Sequence, residues 1–132
     1  MVDFAGYDMP VQYPAGIIKE HLHCRASVGL FDVSHMGQFK IEGKEAKKFL
    51  ETMTVADIGA LTPGKATLSL LMNDKGGIVD DCIITKVTDN EFFVVLNAGC
   101  VDKDVAHLKK YRDADFKDVL IEQNHNNALL AI

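Results

Sequence analysis

Two adjacent carboxylates, Asp80 and Asp81, lie in the stretch NDKGGIVDDCII, residues 73–84, directly after a turn signal and inside an apolar run. Gly76 and Gly77 behind Asn73 and Asp74 mark a tight reversal between strands, because glycine tolerates positive φ. On a strand leaving that turn, Ile78, Cys82 and Ile84 face one way and Val79 and Ile83 the other, and each face also carries one aspartate. An unpaired buried carboxylate costs several kcal/mol or shifts its pKa, so these two need partners or a task. Neighbours on a strand point to opposite faces, so the pair cannot act together as a glycosidase-type acid and base. At most one of them faces a given pocket. The sequence leaves open whether both simply bind backbone N–H groups of the turn.

The other reactive residue types are weaker candidates. Ser34-His35-Met36 follows Phe31-Asp32-Val33 and contains the residue types of a hydrolase triad. Such a triad has to be assembled in space, and neighbours along one strand do not assemble it, so His35 reads as structural. His21 and His23 are two apart on a helical stretch and face different ways. No cysteine or carboxylate set stands at ligand spacing, so no metal site is expected. Cys100 near a helix start has a setting that can lower a thiol pKa, against the commoner outcome of a packed thiol. Asn97 ends a strand just before that helix, as an N-cap or as a ligand-reading amide. Neither GxGxxG nor GxxxxGK[ST] occurs, which disfavours a nucleotide-phosphate enzyme.

The 132 residues suffice for one core and are few for two ordinary domains. Hydrophobic residues at 48% and charged ones at 25% are a globular composition. A net charge of −5 argues against a nucleic-acid partner, and no apolar run is long enough to enter a membrane as a spanning helix. The three cysteines, Cys24, Cys82 and Cys100, form no CxxC pair and read as reduced thiols.

The elements that must position these residues follow from periodicity. Residues 1–13 read as an extended arm. Pro14 suits the first turn of a helix to about Ser27, with Ile17, Ile18, His21, Leu22 and Arg25 at helical spacing and Gly29 as the stop. Residues 30–41 read as a strand interrupted at Gly37. A helix over 44–53 carries Ala46, Phe49, Leu50 and Met53 in one stripe. Strands follow at 66–72, 78–87 and 91–97, then a helix over 99–111 with Val101, Val105, Leu108 and Tyr111 aligned. Asp102 and Asp104 fall near its positive end, as the macrodipole prefers. Short strands at 119–122 and 128–132 complete the chain. From residue 35 the order predicts an α+β fold, a ferredoxin-like antiparallel sheet with helices on one face and an extra hairpin strand. The domain expectation is an N-terminal arm and helix over 1–34, part of an incomplete first domain, and a ferredoxin-like domain over 35–132.

Taken together, MVDFAGYDMPVQY, LFDVSHMGQF, GGIVDDCIITKV and VVLNAGCVDKD stand in an order that resembles the aminomethyltransferase (T protein) family of the glycine cleavage system. The resemblance covers essentially the whole chain, and FDVSHM with GG-x-x-DD makes it specific. It implies a folate-binding cloverleaf of three domains, with tetrahydrofolate as co-substrate and no metal. It implies a lipoylated H protein as partner, whose aminomethyl group supplies the methylene of 5,10-methylenetetrahydrofolate while ammonia leaves. By the same resemblance Asp81 is the catalytic carboxylate facing the pteridine, Met36, Leu68 and Ile83 lie along the folate pocket, and Asn97 contacts the pterin. Leu68 replaces an aromatic residue that some relatives have. The NAGC-x-x-KD run is similar to the mitochondrial branch, which implies the mitochondrial matrix for a eukaryotic source and the cytoplasm for a bacterial one.

The resemblance also implies a longer chain, with further acidic and arginine groups completing the pocket. The expectation is therefore an N-terminal fragment with little activity alone. The competing expectation is a folate-binding or iron–sulfur assembly module without transferase chemistry, or an inactive fragment.

Overall fold

The strands expected from alternation form in the computed structural model, which describes residues 1–132. The chain divides into two compact units, one of residues 1–35 with 126–132 and one of residues 36–125.

In the first unit the N-terminal arm is a hairpin rather than a single extended segment. Strands β1 (Val2–Phe4) and β2 (Tyr7–Met9) pair antiparallel, Phe4 opposite Tyr7. The connecting Ala5 and Gly6 both have positive φ, at 54° and 83°, the backbone a two-residue hairpin of type I′ requires. Helix α1 spans Ile17–Ala26 and starts later than Pro14 predicts. The chain first turns at Tyr13, where the Gly16 N–H bonds the Tyr13 carbonyl at 2.9 Å, and Gly16 at φ 82° cannot itself be helical. The helix ends at about Ser27, as expected, with the Ser27 N–H bonding the His23 carbonyl. The strand expected over 30–41 is broken. Phe31–Asp32 forms β3, residues 34–36 turn, and a separate strand starts at Gly37. Asp32 Oδ1 accepts the Ser34 N–H at 2.9 Å, a local side-chain turn that competes with continued extension.

Leu130–Ala131 (β9) pairs antiparallel with β3, Asp32 opposite Leu130. The Val33 N–H bonds the Leu129 carbonyl at 2.9 Å, and Ser34 Oγ accepts the Leu129 N–H at 3.0 Å. These bonds return the last residues to the first unit, whereas the sequence reading counts them with the ferredoxin-like span.

The second unit runs β4 (Gly37–Glu42), α2 (Ala46–Met53), β5 (Ala66–Met72), β6 (Ile78–Lys86), β7 (Glu91–Leu96), α3 (Val101–Asp115) and β8 (Leu120–Gln123). Its sheet has the order β5-β6-β7-β4-β8, every neighbour antiparallel. Strands β4, β6, β7 and β8 with α2 and α3 make the ferredoxin-like arrangement, and β5 is the added edge strand. The two helices cover one face. Phe39, Ile41, Ile84, Phe92, Val94 and Leu96 from the sheet meet Ala46, Phe49, Leu50 and Met53 of α2 and Leu108 of α3 in one cluster. Each such large side chain contributes about 1.5–3 kcal/mol by leaving water. Alternation then sends Gln38, Lys40, Leu68, Leu70, Asp81, Ile83, Phe93 and Val95 to the opposite face, which is open at Leu68, Asp81 and Ile83 and covered at Gln38 and Val95.

Candidate functional site

The register of the sheet decides which candidate residues meet. Leu68 pairs with Ile83, and Ile83 with Val95, so these form one row across the open face. Leu70 pairs with Asp81 in the next row. Gly37 and Cys82 are both opposite Leu96, so one residue further along Asn97 falls between Asp81 and Met36. Asn97 is still extended there, at φ −65° and ψ 132°. Leu68, Asp81 and Ile83 thus lie in two adjacent rows of one face, and Met36 and Asn97, each one residue beyond the paired strands, stand at the end of the Asp81 row. Leu68 is 68% exposed and Ile83 43% exposed, an apolar surface beside an exposed carboxylate.

The hairpin that feeds the aspartates is held without them. Asn73 Oδ1 accepts the Lys75 and Gly77 N–H groups, each at 2.9 Å, so the turn's donors are not bound by Asp80 or Asp81. Three residues of α3, one turn apart, hold the same hairpin. The Lys103 ammonium donates to the Val79 carbonyl, His107 Nε2 meets the Met72 carbonyl at 2.9 Å, and Tyr111 donates to Asp74. Spacing of i, i+4, i+8 puts all three on one side of the helix.

Asn97 joins the two aspartates. Its Nδ2 lies 3.0 Å from Asp81 Oδ1 and 3.2 Å from Asp80 Oδ1. An amide nitrogen carries two hydrogens, one for each carboxylate. Asn97 makes no side-chain cap to the short 3-10 turn at Ala98–Cys100 that follows it, so of its two sequence readings the cap is excluded.

Asp80 lies on the helix-covered face. Burial raises its pKa, but hydrogen bonds with Asp104, Asn97, the Cys100 thiol and the Asp81 N–H outweigh burial and hold it below its usual value. Asp104, fully buried on α3, is pushed up to about 6 by burial and then by the Asp80 carboxyl. Cys100 is raised, first by its bond to Asp80 and then by burial, the reverse of the lowering a helix start can cause. Burial, followed by Asp81, Asp104 and Asp80, pushes the Cys82 thiol to about 12, so it is inert.

Asp104 is the residue that sequence reasoning misassigned. Its place near the helix start reads as dipole compensation, yet its side chain points into the core beside Leu108. The available signal is its spacing, since Val101, Asp104, Val105 and Leu108 fall at i, i+3, i+4 and i+7. Asp32, Ser34 and His35 do not assemble a triad. Asp32 and Ser34 are bonded through the Ser34 backbone N–H, and His35 lies edge-on between Phe4 and Tyr7 at 5.7 and 5.9 Å between ring centres. The three cysteines are free, and no cluster of potential metal ligands forms. No helix is long and apolar enough to cross a membrane.

A five-stranded antiparallel sheet covered by helices on one face, with a carboxylate and an amide at the other, defines an α+β domain of ferredoxin-like topology. Residues 1–132 match the GCVT N-terminal domain family throughout, and the chain belongs to that family. It is 55% identical over 119 residues to the mitochondrial aminomethyltransferase of Dictyostelium discoideum, covering 90% of this chain and 29% of that one. It is 47% identical over 133 residues to the aminomethyltransferase of Chloroherpeton thalassium, covering 100% of this chain and 36% of that protein. The crystal structure of glycine cleavage system aminomethyltransferase T from Bartonella henselae superposes with a TM-score of 0.89 at 39% identity, over 98% of this chain and 35% of that one. The chain thus spans about a third of the length of these relatives.

Proposed function

We propose that this chain forms the tetrahydrofolate-facing wall of an aminomethyltransferase of the glycine cleavage system, with Asp81 as its catalytic carboxylate. The reaction passes the methylene of an aminomethyl group, carried on the lipoyl arm of the H protein, to tetrahydrofolate. Ammonia and the lipoyl dithiol are released, and 5,10-methylenetetrahydrofolate is the product. Family membership supports the class of reaction, as do relatives named aminomethyltransferase. The observation that carries the site is Asp81 on the open sheet face, beside exposed Leu68 and Ile83 and held by Asn97.

This surface suits a pterin. A flat ring system presents faces to apolar side chains and edge N–H groups to acceptors. Leu68, Ile83 and Met36 supply the first kind of contact, Asp81 and the Asn97 carbonyl oxygen the second. Tetrahydrofolate supplies the amine that takes the methylene. Asp81 orients that amine by accepting its N–H and carries protons between the amine and the departing nitrogen. The apolar neighbours strengthen that hydrogen bond by limiting competition from water. Asp80, on the other face, supports it from behind.

In this reading the unit of residues 1–35 with 126–132 and the ferredoxin-like unit of residues 36–125 are parts of a three-domain cloverleaf. A eukaryotic source places the protein in the mitochondrial matrix and a bacterial one in the cytoplasm. The test is a chimera in which residues 1–132 replace the matching third of the Bartonella henselae enzyme. Asp81→Asn lowers methylene transfer from aminomethylated H protein by about a hundredfold or more, and Asp80→Asn by clearly less. Equal losses would remove the role from Asp81.

A further inference from the structure

Asp104 is fully buried on the inner side of α3, yet neither of its carboxyl oxygens receives a hydrogen bond. Asp80 Oδ2, also buried, has none either. The groups that face this pair are few. Asp80 and Cys82 come from β6, Asn97 and Cys100 from the β7–α3 junction, and Lys103 from α3 itself. Lys103 stands 3.4 Å from Asp104 Oδ1, but its ammonium donates to the Val79 carbonyl and its side chain is half exposed. A single proton between the two facing carboxyls satisfies two of these three oxygens, one on each carboxyl.

The donors decide which carboxyl keeps that proton. Asp80 has hydrogen bonds from Asn97 Nδ2, the Cys100 thiol and the Asp81 N–H, all of which favour its ionised form. Asp104 has only the half-exposed Lys103 ammonium, 3.4 Å from its Oδ1, and is the deeper of the two, so the neutral acid is Asp104. Its O–H then donates to Asp80. With Asp80 held as an anion, Asn97 must turn its nitrogen rather than its oxygen inward, and its second N–H reaches Asp81 Oδ1 at 3.0 Å.

We propose that Asp104 is a positioning residue for Asp81: in its neutral form this buried acid donates to Asp80 and thereby orients the Asn97 amide that holds the Asp81 carboxylate. The value of this chain of bonds to tetrahydrofolate rests on the function proposed above, but the bonds themselves exist without folate.

Asp104 titrates at about 6 rather than at the ordinary 3.8. Because the folded value is raised, the arrangement is complete below the unfolded value and is lost as the pH rises through about 6. The experiment is an NMR titration of the 132-residue chain without folate, following side-chain carboxyl carbons and the Asn97 side-chain amide. In the wild type the Asp104 carboxyl carbon and the Asn97 amide protons move together with a midpoint at about 6. In Asp104→Asn, which keeps a neutral donor at every pH, the Asn97 signals stay at their low-pH wild-type positions and the step is gone. In Asp104→Leu, which has no donor, they are displaced at every pH.

An Asn97 amide that does not respond at the Asp104 midpoint overturns the proposal, as does an Asp104 carboxyl that titrates in the ordinary range. An Asp104→Asn variant that displaces the Asn97 signals as Asp104→Leu does overturns it too. Adding tetrahydrofolate to the same sample separates the two ideas. If the relay titrates as stated but folate leaves Leu68, Ile83 and Asn97 unperturbed, the folate reading fails and the relay stands.

Discussion

Asn97→Ala tests the point where the two faces of the sheet are joined. The substitution removes one donor from Asp80 and one from Asp81, bonds of 3.2 and 3.0 Å. The first bond is part-buried and charge-assisted, and its loss costs about 1.5–3 kcal/mol. The second is exposed, so water replaces the amide and the loss is under about 1 kcal/mol. The sum is about 1.5–4 kcal/mol, which lowers the Tm of a domain of this size by roughly 5–15 °C. The pH dependence carries a definite sign. Asp80 is held below its usual 3.8, so its stabilising contribution is complete above 3.8 and disappears as the pH falls through the lowered folded value. The deficit of Asn97→Ala is therefore widest near neutrality and narrows below 3.8. Urea denaturation across that range measures it. A double-mutant cycle with Asp80→Asn gives a coupling of about 1–2 kcal/mol, and one with Asp81→Asn gives less than about 0.5 kcal/mol. A deficit that is the same at every pH, or a larger coupling to Asp81, would refute the reasoning.

Gly43 sits between β4 and α2 at φ 134°, where an added Cβ would lie 2.1 Å from the Asp118 carbonyl oxygen. Gly43→Ala destabilises the chain by about 2–4 kcal/mol, and a loss in urea denaturation below about 1 kcal/mol would show that the contact relaxes freely. Cys82 is 2% exposed with its thiol pushed up to about 12, whereas Cys24 is only partly covered. A thiol reagent at neutral pH labels Cys24 in the folded chain and Cys82 only when the chain is unfolded. Equal native rates would contradict the buried, neutral state of Cys82.

Periodicity and turn chemistry were enough to read most of the second unit. The stripe Ala46, Phe49, Leu50, Met53 is buried as its spacing requires, because only one side of α2 can meet the sheet. Strand alternation likewise separates Asp80 from Asp81, since successive side chains must leave a strand on opposite faces. Local signals failed where distant partners decide. The break after Asp32 depends on a side-chain turn and on pairing with Leu130, almost a hundred positions away. Dipole compensation explained Asp104 from its neighbours alone, whereas its depth and its contact with Asp80 arise from how α3 lies on β6. Asn97 had two equal readings until the register put it beside β6. Which residues share a strand face or a helix stripe is legible in residue order, because those are properties of the local backbone repeat. Which faces meet, and with it which carboxylate keeps its proton, depends on the packed fold, because desolvation and hydrogen bonding come from residues remote in the chain.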